Sequence, residues 1–206
     1  MTNVTEPSLV TSMYADQGRL PRRFWAARVV NQIDDVGRTT LHYFAGGLTN
    51  DDGDYYDDGR TENITRWLVG LQAGVNVADV GGKTPLHYLV DRGRCCPAPE
   101  RNDVVAAVRV LLESGANPNV ADACGLTAYA RAAVYGDREL MSLMTSLAGV
   151  DFGVVCPHDF PETEVPGVHE PLLEPGRDEW RVVPIKGKTV AQLRDEVTRG
   201  ERKVSF

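Results

Sequence analysis

Apolar residues recur at helical spacing in separate windows of the chain. Ile64, Trp67, Leu68 and Leu71 put one apolar face on a helix over residues 64–72. Val105, Val108, Leu111 and Leu112 do the same over 104–113, where the Ser-Gly that follows at 114 and 115 supplies the stop. A further helix is predicted over 139–147. Upstream of the first two lie shorter helices, each opened by a threonine, over residues 39–46 and 84–90. The pattern is one of paired helices separated by turns, which makes the fold class all-α.

The turns are related to one another. The stretches NQIDDVGRTTLH (31–42), NVADVGGKTPLH (76–87) and NVADACGLTAYA (119–130) align without gaps. They share Asn31, Asn76 and Asn119, then Asp34, Asp79 and Asp122, then Gly37, Gly82 and Gly125, and last Thr39, Thr84 and Thr127. Asn and Asp bond their own backbone in turns, and Gly accepts a positive φ without steric cost. Thr then caps a helix, Pro85 suits a first helical position, and Leu is the first apolar contact. A turn feeding a helix pair, repeated in tandem, cannot bury its apolar face alone and must stack on its neighbours.

The repeated pattern resembles the ankyrin repeat, whose signature is T-P-L-H-x-A within a unit of roughly 33 residues. GGKTPLHYLV (81–90) and VRVLLESGANPNVAD (108–122) match it well, GRTTLHYF (37–44) has Thr40 in place of the proline, and the third unit has Tyr129 and Ala130 where the others have Leu and His. Gly136 falls where the family places its inter-helix glycine. The resemblance covers residues 31–155, with units at about 34–78, 79–121 and 122–151, and it implies a solenoid of helix-turn-helix units with β-hairpin-like loops. The Leu-His-Tyr runs at Leu41 and Leu86 are also reminiscent of poxvirus ankyrin proteins. Residues 1–30, with Pro7 where a helix-opening proline belongs, are expected to form a degenerate N-terminal capping repeat.

Two stretches lengthen the expected inter-helix turns. TNDDGDYYDDGRTE (49–62) carries six acids that repel one another, and reads as a surface loop or as a contact arm with Tyr55 and Tyr56 as anchors. A calcium loop starting at Asp54 is disfavoured, because Tyr56 spoils the third position and Thr65 cannot supply the bidentate carboxylate of the twelfth. RGRCCPAPERND (92–103) occupies the corresponding place in the second unit. After Asp151 periodicity is lost, and residues 156–206 are expected to be an irregular tail rich in Pro and acid. Its end, GKTVAQLRDEVTRGE (187–201), restates GKTPLHYLVDRGR (82–94) and reads as a terminal half-repeat or an unrelated capping helix.

Composition narrows the function. The 206 residues are 42% hydrophobic, enough for one sizeable core, and the formal net charge of −7 argues against a sequence-independent grip on nucleic acid. No apolar run approaches the roughly 20 residues needed to span a bilayer, and the N-terminus lacks a signal-peptide pattern. A cytoplasmic monomer is expected, with a host cytoplasm if the chain is viral and the nucleus not excluded. Cys95, Cys96, Cys124 and Cys156 have no disulfide-framework density, so reduced thiols are expected.

No catalytic residue, metal site or cofactor is expected. The two Gly-Lys-Thr triplets lack the earlier glycine of a phosphate loop, with Val77 and Val182 in its place. The cysteines and His158 lack metal-ligand spacing. The resemblance implies that His42 and His87 bond neighbouring backbone and tie units together.

It also implies a non-enzymatic protein–protein interaction module, an adaptor or competitor that takes a protein partner on its concave face. The family's usual contact positions fall on Asp35, Val36 and Arg38 in the first unit, and on Val80, Gly81, Lys83, Asp91 and Arg92 in the second. In the third they fall on Ala123, Cys124, Leu126, Val134 and Tyr135. The alternative is a substrate receptor of a ubiquitin ligase: poxvirus ankyrin proteins often end in an F-box-like segment, and VVPIKGKTVAQLRDEV (182–197) is the nearest candidate although it departs from that pattern.

Overall fold

The computed structural model describes residues 30–47, 61–95, 98–158 and 185–201. The expected N-terminal capping repeat, most of the acidic insert at 49–62 and residues 159–184 of the expected tail lie outside them. The described residues form seven helices: α1 (Thr40–Gly46), α2 (Thr61–Gly70), α3 (Pro85–Cys95), α4 (Ala98–Glu113), α5 (Ala128–Val134), α6 (Arg138–Leu147) and α7 (Val190–Arg199). Among these residues the only β pairing is two isolated bridges, Ala121 with Thr127 and Val155 with Thr189. The architecture is all-α.

Local chemistry starts the helices where expected. The Thr127 hydroxyl accepts from the Ala130 N–H at 3.1 Å, and Pro85 is the first residue of α3. The helices then pack in two rows. One row runs α1, α3, α5, α7 and the other α2, α4, α6, while α1 also packs on α2, α3 on α4 and α5 on α6. Leu41, Leu86 and Tyr129, which hold equivalent places in the first row, are all buried in a shared apolar core with Leu68, Leu111 and Met144 from the second. Burying a leucine of this kind stabilises by about 1.5–3 kcal/mol, which no unit could gain without its neighbours.

The three shared asparagines latch one unit to the next. Asn31 Nδ2 donates to the Gln72 carbonyl while its Oδ1 accepts from the Gly74 N–H at 2.7 Å. Asn76 does the same to Gly115 and Asn117, and Asn119 to Gly149 and Asp151. Each spans the end of a second-row helix, satisfying backbone groups that the turn leaves open.

Two features differ from the sequence reading. The stretch at 92–103 is largely helical: α3 continues to Cys95 and α4 opens at Ala98. Gly93 lies inside α3, buried, where a Cβ would sit 3.4 Å from Val104 Cγ1 and 3.5 Å from Leu140 Cδ1. The extra turn of α3 therefore lies in van der Waals reach of α4 and α6. Nor is there a break in packing at residue 156. Cys156 and Ile185 are fully buried, the Val190 N–H donates to the Val154 carbonyl at 2.9 Å, and Val190, Leu193 and Val197 of α7 join the core.

Candidate functional site

Three turns precede α1, α3 and α5, and their tips form a row. In each, an aspartate Oδ1 accepts two backbone N–H groups, from residues two and four further on: Val36 and Arg38 for Asp34, Gly81 and Lys83 for Asp79, Cys124 and Leu126 for Asp122. This closes the turn on its own side chain. The tips then bond to one another: the Val80 N–H donates to the Val36 carbonyl at 2.9 Å, and the Ala123 N–H to the Gly81 carbonyl at 2.8 Å.

The tips also carry exposed apolar surface. Val80 is 77% exposed and Val36 37%, while Asp35, Ala123 and the free thiol of Cys124 face solvent as well. Gly81 and Arg38 are half-buried, the Arg38 guanidinium lying 5.9 Å from the centroid of the Tyr88 ring. These seven residues are the part of the expected contact set that the fold leaves accessible.

The other six are built into the stack. Lys83, Asp91, Arg92, Leu126, Val134 and Tyr135, which the resemblance placed among the contact positions, have buried side chains. Arg92 Nη1 donates to the Phe44 carbonyl, in space left by Gly47, where a Cβ would lie 3.1 Å from Arg92 Nε. Leu126 belongs to the core, and its carbonyl takes a hydrogen bond from the preceding unit. Val134 is covered in the same core.

Lys83, Asp91 and Tyr135 meet in a cluster that also holds Arg131 and Asp122. Arg131 Nη1 lies 2.9 Å from Asp91 Oδ1, Arg131 Nη2 bonds Asp122 Oδ2, Lys83 Nζ lies 3.0 Å from Asp91 Oδ2, and the Tyr135 hydroxyl donates to Asp91 Oδ1 at 2.8 Å. Two cations and two carboxylates cancel within it. Burial alone would raise the Asp91 carboxyl, but Arg131 and Lys83 outweigh it and hold it below the usual carboxylate range. Burial, and then the Asp91 charge, push the Tyr135 hydroxyl well above its usual value. A neutralised, dry cluster of this kind clamps the second unit to the third and has no open face for substrate.

Nothing in the repeat signature points to Arg131 as the centre of this cluster. A trace is nonetheless present in the alignment: Tyr43 and Tyr88 stand nine residues after Asp34 and Asp79 and donate their hydroxyls to those aspartates, and Arg131 stands in the same place after Asp122. Asp103 carries no such trace. From within α4 it accepts the Thr61 N–H at 2.7 Å and the Glu62 N–H at 3.0 Å, capping α2 across a unit boundary.

His42 and His87 do what the resemblance implies. Nδ1 of His87 accepts the Thr84 N–H at 3.1 Å, so Nε2 carries the proton and faces the Leu126 carbonyl at 3.1 Å. His42 repeats this with Thr39 and the Lys83 carbonyl. Burial, then the Arg131 charge, lower His87 to about 4, and burial lowers His42 as well. Among the described residues no group of three or more His, Cys, Asp or Glu side chains could hold a metal ion, and no helix is long and apolar enough to cross a membrane.

No curated protein matches the chain significantly. The family comparison does find a match: residues 81–123, from the second tip through α3 and α4 to the third tip, are similar to the ankyrin repeat, a unit that generally mediates protein–protein interaction.

Proposed function

We propose that this chain is a non-enzymatic ankyrin-repeat solenoid that binds a protein partner, as an adaptor or competitor, along its row of turn tips. The observation that carries the proposal is the split in the expected contact set. The tip residues Asp35, Val36, Val80, Ala123 and Cys124 stay exposed on hydrogen-bonded backbone, whereas the helix-borne positions Asp91, Arg92, Val134 and Tyr135 are buried. Val80 and Val36 are exposed apolar side chains on adjoining tips, and a partner that covers them removes that apolar surface from water.

The ligase-receptor alternative draws no support from the fold. Val190, Leu193 and Val197, three of the apolar side chains of its candidate segment, are buried in the core beside α5.

The test is affinity capture with mass spectrometry on the full chain and on the double variant Val36→Asp, Val80→Asp. The expected result is a protein retained by the first and lost by the second, with helicity and unfolding midpoint unchanged. A partner held equally by both overturns the tip row as the site.

A further inference from the structure

We infer that α7 and the turn before it are the first half of a fourth unit, and that residues 157–184 are inserted at the tip of that turn. The backbone bonds of the earlier turns recur across the gap. The Cys156 N–H donates to the Lys188 carbonyl at 2.9 Å, as Asp79 does to Lys83 at 2.9 Å. The Gly187 N–H donates to the Cys156 carbonyl at 2.8 Å, as Gly82 does to Asp79 at 2.9 Å. Gly187 has φ 76° and Gly82 φ 73°.

Side chains keep the same step. Lys188 Nζ meets Glu196 Oε1, eight residues on, at 2.6 Å, as Lys83 meets Asp91 at 3.0 Å. Gln192 holds the place of His87: its Oε1 accepts the Thr189 N–H at 2.8 Å, where His87 Nδ1 accepts that of Thr84 at 3.1 Å. The latch by Asn119 fixes the count from the other side. Its Oδ1 takes the Asp151 N–H, five residues before Cys156, as Asn76 takes that of Asn117, five before Asp122.

Removing 157–184 from the written sequence therefore restores the unit. Cys156 joined to Ile185 reads Cys-Ile-Lys-Gly-Lys-Thr-Val, in step with the Asp-Val-Gly-Gly-Lys-Thr-Pro of residues 79–85. The insertion enters and leaves at one point, between backbones already bonded to each other. Its first residue, Pro157, packs on Gly125 of the third tip, where a Cβ would lie 2.3 Å from Pro157 Cγ. One face of α7 is polar, with Gln192, Asp195, Thr198 and Arg199 exposed.

Two experiments test this on the full chain. Deleting 157–184 should leave helicity and cooperative unfolding intact with a midpoint at or above that of the parent, because a shorter loop costs less entropy to close. A loss of cooperative unfolding, or a midpoint as low as that of Leu193→Ala in the full chain, overturns the insertion. Independently, a protease site placed between residues 170 and 171 and then cleaved should leave both fragments together on gel filtration, held by α7. Separation of the fragments overturns the fourth unit.

Discussion

Arg131 of the third unit reaches Asp91 of the second at 2.9 Å, with both side chains only 2% exposed. The same guanidinium holds Asp122 of its own turn. Removing it leaves two carboxylates facing a dry interior, Asp91 with Lys83 and Tyr135, and Asp122 with backbone donors alone. Arg131→Ala should therefore destabilise the chain by about 3–5 kcal/mol, read as a lower denaturant midpoint. Arg131→Tyr, which restores the side chain found at Tyr43 and Tyr88, should fall between the two because it re-pairs Asp122 only. Midpoints that do not move would mean the cluster is solvated.

His87 makes stability depend on pH. Its folded pKa, about 4, lies below the ordinary 6.5, so the unfolded chain binds the proton more readily. The contribution of neutral His87 is fully present above about pH 6.5 and is lost as pH falls toward 4, by about 3 kcal/mol in all. His42 is shifted in the same direction and adds to the slope. His87→Gln, which copies the arrangement at Gln192, should flatten the dependence of the unfolding midpoint on pH between 4 and 6.5 relative to the parent. An equally steep profile in the variant would remove His87 from the account. Below this window Asp91 takes over, since its lowered carboxyl loses its contribution only once protonated.

Gly82 and Gly187 share a left-handed backbone and differ in what surrounds them. A Cβ on Gly82 would meet the backbone of Asp122 and Ala123 at 2.9 Å, while among the described residues one on Gly187 meets nothing within 4 Å. Gly187→Ala should cost only the strain of an L-residue in that region, about 1–2 kcal/mol. Gly82→Ala should cost clearly more, because the next tip would have to shift and with it the Ala123 to Gly81 bond. Equal losses in thermal denaturation would show that the tips are not packed so closely.

Asp103 caps α2 from α4. Asp103→Ala should destabilise by about 0.5–2 kcal/mol and raise amide exchange in the first turn of α2, at Thr61 and Glu62. Faster exchange confined to α4 would place the role of Asp103 within its own helix.

The repeat grammar was legible because it is local. Asp34, Asp79 and Asp122 bond backbone two and four residues away, Thr127 caps three residues away, and the apolar spacing of Ile64, Trp67, Leu68 and Leu71 needs only the pitch of a helix. The match of residues 81–123 to the ankyrin repeat rests on the same short-range signals. Even the ties made by His42 and His87 follow from the step between units.

Which residues face outward depended on contacts that no single unit contains. Asp91 sits on a helix position that reads as surface, and it is buried because Arg131 and Tyr135, about forty residues on, close over it. Gly93 falls in a stretch that reads as an inter-helix insert, and it is buried because α3 runs on through it beside Val104 of α4 and Leu140 of α6. Cys156 reads as the start of an irregular tail and Lys188 as part of a half-repeat or capping helix at its end, and the bond between them spans residues that the repeat pattern cannot count across. The sequence by itself determined the turns, the caps and the alternation of helices, since those follow from groups a few residues apart. Only the stacking decided burial, because a charge or a glycine takes its environment from the neighbouring unit and not from its own.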